Sequence, residues 1–519
     1  MPRVDLSQNA MGGVLLMNLD NLYTLTQGFI IDKRAQITPD RIAIHDASDG
    51  SRYSYKDLKE RSDRCAQYLL DRGLKKGQTV SALLMNTIEY FDLLFACAKV
   101  GGVFVPLNYR LSPKEIESIL SNARSPFVFY DPVFCEQVKN FSKRGREFID
   151  IGSMDLKHRT DEISLNKEGD PTTPLVLIYT SGSSGEPKGV IQTHLNAFFK
   201  SVDSIIDFGM TYNDVVLVTA PLFHVAGLNA LTLPCLHMGG RLVLQRKFQA
   251  DEAVRILDEE GVTCFAVVPT ILKMIVSSKE FSNRKLRSLR FLMVGGEPLD
   301  PMIQQAIADK GAYALNVFGL SETTDGAIYQ RIGHEAMEGC VGQLATHVDA
   351  KLMLSESTET SEGEPGELVV KGGTVSPGYW ENPGKTVETF KDGWVWTGDM
   401  AIKDDRGYFY MVGRSDDMIK SGAEKISPAE IELAICSSPK VADVVVFGVP
   451  DEKWGQVAKA VVSKKPGVSL SEQEVIEICK NKMASYKKPR YVVVLDELPL
   501  TGSGKVDRAL IQRLFSRSD

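Results

Sequence analysis

The 519-residue chain has no Cys-x-x-Cys pair: its eight cysteines, at positions 65, 97, 135, 235, 264, 340, 436 and 479, are scattered, and only Cys235 has a histidine close in sequence, the lone His237. That excludes a zinc ribbon or a disulfide framework and reads as the reduced thiols of a cytoplasmic protein. Nor is there a large charge of one sign. Sixty basic side chains against 67 acidic ones leave a net charge of −7, too small to supply a global field for nucleic acid, although a local basic groove stays open. Long uncharged apolar runs are missing as well. The most apolar stretch, residues 90–107, carries Asp92 and Lys99 and is broken by Gly101-Gly102, so it reads as a buried helix followed by a strand, with no membrane span. Residues 1–20 have one early arginine and a short apolar patch interrupted by Gly12-Gly13, too weak a pattern for a secretory signal. Residues 515–519 offer no retention or lipidation signal. Internal repeats and low-complexity tracts are absent; the most polar stretch, 355–366, reads as a surface hairpin or loop.

What is present is an ordinary globular composition, 43% hydrophobic and 24% charged, on a chain too long for one core. Helical patterns alternate with β-branched runs: 253–260 precedes 262–268, and 289–294 ends at Gly295-Gly296. The alternation predicts an α/β protein. The expected domain boundary lies near Gly413-Arg414-Ser415-Asp416-Asp417, giving a large domain over 1–413 and a small one over 414–519. Within the small domain, Ser427-Pro428-Ala429-Glu430 predicts a helix over 428–436, with Ser427 as cap, Pro428 in the first turn and Glu430 reaching back.

The densest chemical signal is Thr180-Ser181-Gly182-Ser183-Ser184-Gly185-Glu186-Pro187-Lys188-Gly189, flanked by β-branched runs that predict strand, loop, strand. Its glycines let backbone N–H groups approach an anion, its hydroxyls add donors, and Lys188 adds a charge. A Gly/Ser-rich surface linker has the same composition, so this loop alone leaves both readings open. It is not a Walker loop, because Lys188 is followed by Gly189 and a strand-like segment where Ser or Thr should open a helix. The glycine spacing is not the dinucleotide fingerprint either.

Four more constellations follow along the chain. Phe318-Gly319-Leu320-Ser321-Glu322-Thr323 offers an aromatic face for a base, a hydroxyl for a phosphate and a carboxylate for magnesium, a hard oxygen-seeking cation. Taken singly it equally describes a strand end with a capped helix. Trp396-Thr397-Gly398-Asp399 sets an acid after an expected tight turn, where it can accept from both ribose hydroxyls; most such Gly-Asp pairs are only turns. Arg414 beside Asp416 and Asp417 also reads as a charged linker. Pro499-Leu500-Thr501-Gly502-Ser503-Gly504-Lys505 presents a lysine on a glycine-containing loop, and most such lysines are solvated surface charges.

The order and spacing of these segments together resemble the adenylate-forming superfamily, in its acyl-CoA synthetase branch, over residues 53–508. The resemblance implies a large N-terminal domain with layered β-sheets and helices that binds ATP and a carboxylic acid. It also implies a small mobile α+β C-terminal domain that swings about a hinge at Asp416. The activity implied is an ATP-dependent carboxylate–CoA ligase that forms an acyl adenylate and then a thioester, with ATP, Mg2+ and coenzyme A as cofactors and co-substrates. By the same resemblance Lys505 bridges the acid and the α-phosphate, and Thr180 to Lys188 clamp the β- and γ-phosphates. Ser321 reaches the α-phosphate, Glu322 holds magnesium, Asp399 grips the ribose and Arg414 supports it. Gly295, Gly296, Glu297, Phe318 and Gly319 frame the adenine. His224, within Pro221-Leu222-Phe223-His224-Val225-Ala226-Gly227, resembles a residue lining the acyl pocket, while any lone histidine also reads as packing. Val225, Gly227, Val268 and Leu320 join it as candidate walls. In the family's amino-acid-activating branch an aspartate near this segment pairs with the substrate ammonium; this chain has an aromatic and a histidine there, which disfavours an α-amino acid, and the apolar walls suit a medium- or long-chain fatty acid or an aryl acid.

Departures from the family pattern bear on the second half-reaction. Phe318 replaces a usual tyrosine, and Ser321 and Ser184 replace threonines, all with the relevant face or hydroxyl kept. Ala423 stands where glycine is usual beside the thiol tunnel, next to Gly422; Lys425 and Leu500 also differ. Two alternatives are therefore carried: a ligase that loads a carrier-protein pantetheine, and a catalytically silent acyl-adenylate-binding protein. The expected partners are a small-molecule acid and CoA, with no nucleic acid and no membrane span, and with a homodimer left open.

Overall fold

A computed structural model describes residues 19–143, 145–154, 170–181, 187–295, 299–333, 337, 339–414, 417–421, 424–480, 482–483, 487–500 and 506–516. Among the described residues the strands gather into sheets of six, fifteen and five strands.

The six-stranded sheet is parallel from Glu147–Asp150 through Phe127–Tyr130, Thr79–Leu83 and Val103–Pro106 to Pro174–Ser181. Its last strand turns back antiparallel as Pro187–Thr193. The fifteen-stranded sheet has a parallel half, with Ile42–Asp46, Arg241–Leu244, Val215–Val218, Cys264–Val267, Phe291–Gly295 and Tyr313–Leu320 in spatial order. From Asp325–Tyr329 onward its pairings are antiparallel, out to Phe409–Arg414, Trp394–Lys403, Gly366–Gly372 and Val348–Ser355. The stretch 355–366 is the expected surface hairpin, with Ser355 paired to Thr358.

Most helices bury a single apolar face, as Pro113–Ala123 does with Ile116, Ile119, Leu120 and Ala123, but Ile88–Val100 is apolar on more than one side. Nearly every residue of it is buried, including Asp92 and Lys99. Both charges are tolerated because both are paired. Arg61 meets Asp92 at 2.6 Å, and Lys99 meets Asp32 at 2.7 Å and Asp63 at 2.5 Å, which staples three helices together. Burial pushes the Asp92 carboxyl up to about 6, with Arg61 opposing it. The helix stops at Gly101, in the left-handed conformation that glycine adopts without strain.

The small C-terminal domain has its own sheet, in which Val441–Asp451 pairs antiparallel with Gly455–Lys464 and Tyr491–Leu495 lies parallel beside the latter. Helices Pro428–Cys436, Glu472–Lys480 and Arg508–Leu514 accompany it. Buried apolar residues from 419 upward form cores separate from those made by residues up to 409. Ser427 caps the first of these helices as expected, accepting from the Glu430 N–H at 3.3 Å, and its hydroxyl donates to the Val412 carbonyl of the large domain. Glu430 does not reach back to the cap; its carboxylate takes Lys487 at 2.8 Å, because a cation from a distant segment packs over the first turn. Among the described residues no helix is long and apolar enough to cross a membrane.

Candidate active site

The strands on either side of the glycine- and serine-rich segment, Pro174–Ser181 and Pro187–Thr193, pair antiparallel. Thr180 pairs with Lys188 and Ser181 with Pro187 across antiparallel strands, so backbone pairing fixes the loop's base. Tyr179 stiffens it: its hydroxyl donates to Asn122 Oδ1 at 2.6 Å, and its ring fills the space over Gly189, where a Cβ would come within 2.9 Å. Gly182, Ser183, Ser184 and Gly185 lie outside the described residues.

A second strand-like segment, residues 376–380, runs along the hairpin. The Trp380 N–H donates to Gly189 O at 2.7 Å, the Ile191 N–H donates to Gly378 O at 3.0 Å, and the Ser376 hydroxyl donates to Ile191 O at 2.6 Å. This pairing delivers Tyr379 into the site. The Lys188 ammonium sits 5.8 Å from the Tyr379 ring centroid, and the Tyr379 hydroxyl donates to Glu322 Oε1 at 2.7 Å. Burial, reinforced by the neighbouring Glu322 charge, raises the phenol's pKa, so it stays protonated and remains a donor. Lys188 and Glu322, read separately from the sequence, are thus joined through one tyrosine that sequence reasoning did not single out. Its only sequence signal is an aromatic after glycine in Ser376-Pro377-Gly378-Tyr379-Trp380.

Ser321 and Glu322 lie on a short 3-10 turn, Ser321–Thr323, at the end of the Tyr313–Leu320 strand. Thr323 shapes that turn: its hydroxyl accepts from the Leu320 N–H at 2.9 Å and donates to Asp325 O at 2.7 Å. Gly319 is obligatory, since a Cβ there would fall 2.1 Å from Asp325 O. The Glu322 carbonyl accepts from the Ser376 N–H at 2.8 Å, a second tie to the Tyr379 segment. Phe318 is half-buried against the main core and Leu320 is half-buried beside it. Gly295, ending its strand, is different from Gly319: a Cβ would meet only Val317, its O at 3.4 Å and its Cβ at 3.9 Å, which is ordinary contact, so packing among the described residues does not force glycine there. Gly296 and Glu297 lie outside the described residues.

Asp399 is not placed after a tight turn. It lies within the Trp394–Lys403 strand, where Gly398 takes φ +72° and the pairing with Gly366–Gly372 shifts register while pairing with Phe409–Arg414 includes Asp399. Asp399 pairs in register with Arg414, whose guanidinium makes a fork at 3.1 Å (Nε to Oδ1) and 3.3 Å (Nη2 to Oδ2). Asp399 is buried and Arg414 is half exposed. Burial pushes the Asp399 carboxyl up to about 6, and Arg414 limits the rise.

His224 is exposed and opens the short helix Val225–Leu228, while Val225 and Gly227 are buried. Gly227 has no room for a side chain, with Pro221 O 2.1 Å from its would-be Cβ. A small apolar cavity lined by Val216, Val218, Ala220, Ala226, Gly227 and Ala266 adjoins it. Val268 is half-buried and caps the Pro269–Val276 helix. Asp416, Gly422, Ala423 and Lys505 lie outside the described residues; Leu500 and Val506 form an antiparallel bridge.

The donor set suits magnesium bound together with a nucleotide. Among the described residues no cluster of three or more His, Cys, Asp or Glu could cage a metal alone. Glu322 is a half-buried carboxylate joined through Tyr379 to Lys188, and magnesium is commonly held by one or two carboxylates with phosphates and water completing its shell.

Comparison with known proteins identifies the family. Residues 31–380 match the AMP-binding enzyme family, and 430–505 match the AMP-binding enzyme C-terminal domain. A feruloyl-CoA synthase of Amycolatopsis is 34% identical, with 93% of this chain and 98% of the relative covered. A long-chain-fatty-acid–CoA ligase of Mycobacterium tuberculosis is 32% identical over 94% of this chain and 98% of its own. Among solved structures, o-succinylbenzoate CoA synthetase of Bacillus subtilis, in complex with its acyl-adenylate intermediate, superposes with a TM-score of 0.84 at 30% identity, covering 93% of this chain and 97% of that one. ATP-bound MatB of Rhodopseudomonas palustris superposes with a TM-score of 0.87 at 27% identity, covering 96% and 99%. With family matches over both domains and relatives above 30% identity along nearly the whole length, the chain belongs to the AMP-binding enzyme family, in its acyl-CoA synthetase branch.

Proposed function

We propose that the acid activated by this ATP-dependent carboxylate–CoA ligase is an aryl acid or a medium- or long-chain fatty acid, and that the residues assembled above divide the work as follows. In the first half-reaction a carboxylate oxygen bonds to the α-phosphorus of ATP as the bond from that phosphorus to pyrophosphate breaks. Two anions must meet, so the site has to supply positive charge and fixed donors. Lys188 and the hairpin loop hold the departing pyrophosphate, Ser321 donates to the α-phosphate, and Lys505 bridges the α-phosphate and the acid. Magnesium bound at Glu322 supplies charge neutralisation at the phosphates. Asp399 accepts from the ribose hydroxyls, with Arg414 beside it, and Gly295, Gly296, Glu297 and Phe318 frame the adenine. In the second half-reaction the CoA thiolate attacks the acyl carbon and AMP leaves; the small domain, taken as 414–519, turns about Asp416 to open a thiol path past Gly422 and Ala423.

The Lys188–Tyr379–Glu322 chain carries this reading, because it brings a phosphate-binding cation and a metal-binding carboxylate to one place. The apolar character of Val225, Gly227, Val268 and Leu320, the candidate walls of the acyl pocket, supports the choice of acid. Relatives support it too, since they include an indoleacetate–CoA ligase of Aromatoleum aromaticum and a 2-succinylbenzoate–CoA ligase of Bacillus licheniformis beside the feruloyl and long-chain enzymes. All eight cysteines are free, in keeping with a cytoplasmic setting. Sedimentation of the pure protein decides between monomer and homodimer.

The test is a pyrophosphate-release screen over aryl and fatty acids, followed by product analysis with free CoA and with a pantetheinylated carrier protein. Release driven by these acids and a thioester on free CoA are expected. Transfer only to the carrier would replace CoA by a carrier-protein thiol, and no acid-dependent release across the panel would leave an adenylate-binding protein.

A further inference from the structure

Helix His194–Asp207 flanks the site and carries none of the residues assigned to it, yet it buries a lysine. Lys200 is 1% exposed. Its ammonium donates to Gly326 O at 3.1 Å, lies 3.9 Å from Asp325 Oδ2 and stands 5.2 Å from the Tyr329 ring centroid. A buried ammonium is costly unless compensated. Burial lowers the Lys200 pKa while the charge of Asp325 opposes the fall. Asp325 Oδ2 in turn is buried with no hydrogen-bond partner among the described residues, so Lys200 is the cation it faces.

This pair sits just past the Ser321–Glu322 turn, where the chain is strained. Thr324 and Asp325 have φ of +56° and +103°, a region that is unfavourable for non-glycine residues and persists only when surroundings hold it. The hold is visible on both sides. Asn196, one helical turn before Lys200 and on the same face, donates to Gly373 O at 2.8 Å and Val375 O at 2.9 Å. Those neighbours pass the restraint on: the Thr324 hydroxyl donates to Thr374 O at 2.7 Å, and the Ser376 N–H donates to Glu322 O at 2.8 Å. One helix thus grips both backbone stretches that flank Ser321 and Glu322.

We propose that Lys200 is a positioning residue for adenylation: its ammonium, bonded to Gly326 O and facing Asp325, holds the left-handed Thr324–Asp325 turn and thereby sets where Ser321 and Glu322 point. The proposal rests on the reading of Ser321 and Glu322 as the groups at the α-phosphate and the magnesium ion. It needs no contact between Lys200 and substrate.

The test compares full-length Lys200→Met, Asp325→Asn and the double variant with Glu322→Gln. Each is measured for melting temperature, single-turnover pyrophosphate release, thioester formation from supplied acyl adenylate, and calorimetric affinity for ATP with magnesium and with a chelator. Lys200→Met is expected to slow adenylation about 10- to 100-fold, as small misplacements of reacting groups do, with KM for the acid nearly unchanged. ATP binding should weaken in magnesium and hold in chelator, and the thioester step should stay within about threefold. Asp325→Asn should move the same quantities in the same direction, and the double variant should be no worse than the poorer single one. A lower melting temperature with wild-type adenylation per folded molecule, or equal loss in both half-reactions, overturns the proposal. If Lys200→Met does not fold, Asp325→Asn supports or overturns it on the same criteria. Unchanged magnesium dependence in Glu322→Gln overturns the metal assignment instead, and the adenylation rate and the half-reaction split then decide the role of Lys200.

Discussion

Tyr379→Phe is the most informative perturbation of the site. It removes one oxygen and leaves Glu322 Oε1 without its 2.7 Å donor, while the ring that faces Lys188 at 5.8 Å stays. A hydrogen bond to a charged group contributes about 1.5–3 kcal/mol, and the half-buried setting of Glu322 lets water replace part of it, so the lower end applies. About 1.5 kcal/mol corresponds to about a tenfold fall in kcat/KM for acid-dependent pyrophosphate release. Tyr379→Leu also removes the face beneath Lys188, adding about 0.5–1 kcal/mol, or a further factor of about two to five. The segment itself should hold its place in both variants, because the Trp380 N–H to Gly189 O and Ile191 N–H to Gly378 O bonds belong to the backbone. Single-turnover pyrophosphate release against ATP at saturating acid reads the effect, with thioester formation from supplied acyl adenylate as the control. Wild-type release by Tyr379→Phe, or the same fall in both half-reactions, would refute the assignment of Tyr379 as the link between the phosphate-binding lysine and the metal-binding carboxylate.

Asp399 makes a pH prediction. Its carboxyl lies at about 6, raised by burial against the pull of Arg414, so ATP affinity should weaken by about tenfold per pH unit below 6 as the acceptor is protonated. Titration calorimetry of Asp399→Asn should lose that acid limb; a limb that persists assigns it to another group. The same raised pKa means that ionising Asp399 costs the fold, so its contribution to stability declines as pH rises from about 4 through about 6, which thermal melts of wild type and Asp399→Asn can separate. Gly319→Ala pushes a methyl to within 2.1 Å of Asp325 O, and the backbone must move; a loss of about 1–3 kcal/mol with a larger loss of adenylation is expected, and unchanged melting and rate would contradict the close approach. Lys505→Ala should abolish adenylate formation and largely spare thioester formation from supplied adenylate; equal loss of both removes its assignment.

Legibility in the sequence followed locality. The hairpin at Thr180 to Lys188 was readable because β-branched runs flank the glycines, and the Pro428–Cys436 helix because Ser427 and Pro428 mark its start. Local cues failed where a distant segment intervened. Glu430 turned to Lys487, and Gly398-Asp399 looked like a turn until the Phe409–Arg414 strand paired beside it and kept it extended.

The sequence by itself determined the chemistry on offer: which hydroxyls, glycines, lysines and carboxylates are available, in an order shared with adenylate-forming enzymes. Tertiary structure alone decided which of them meet. Tyr379 reaches Glu322 across 57 residues of chain, and Lys200 reaches Gly326 across 126. Hydrogen bonds, ion pairs and buried charges act over a few ångströms in space, whereas propensity and capping act over a few residues of chain. Only the packed sheets convert one kind of neighbourhood into the other.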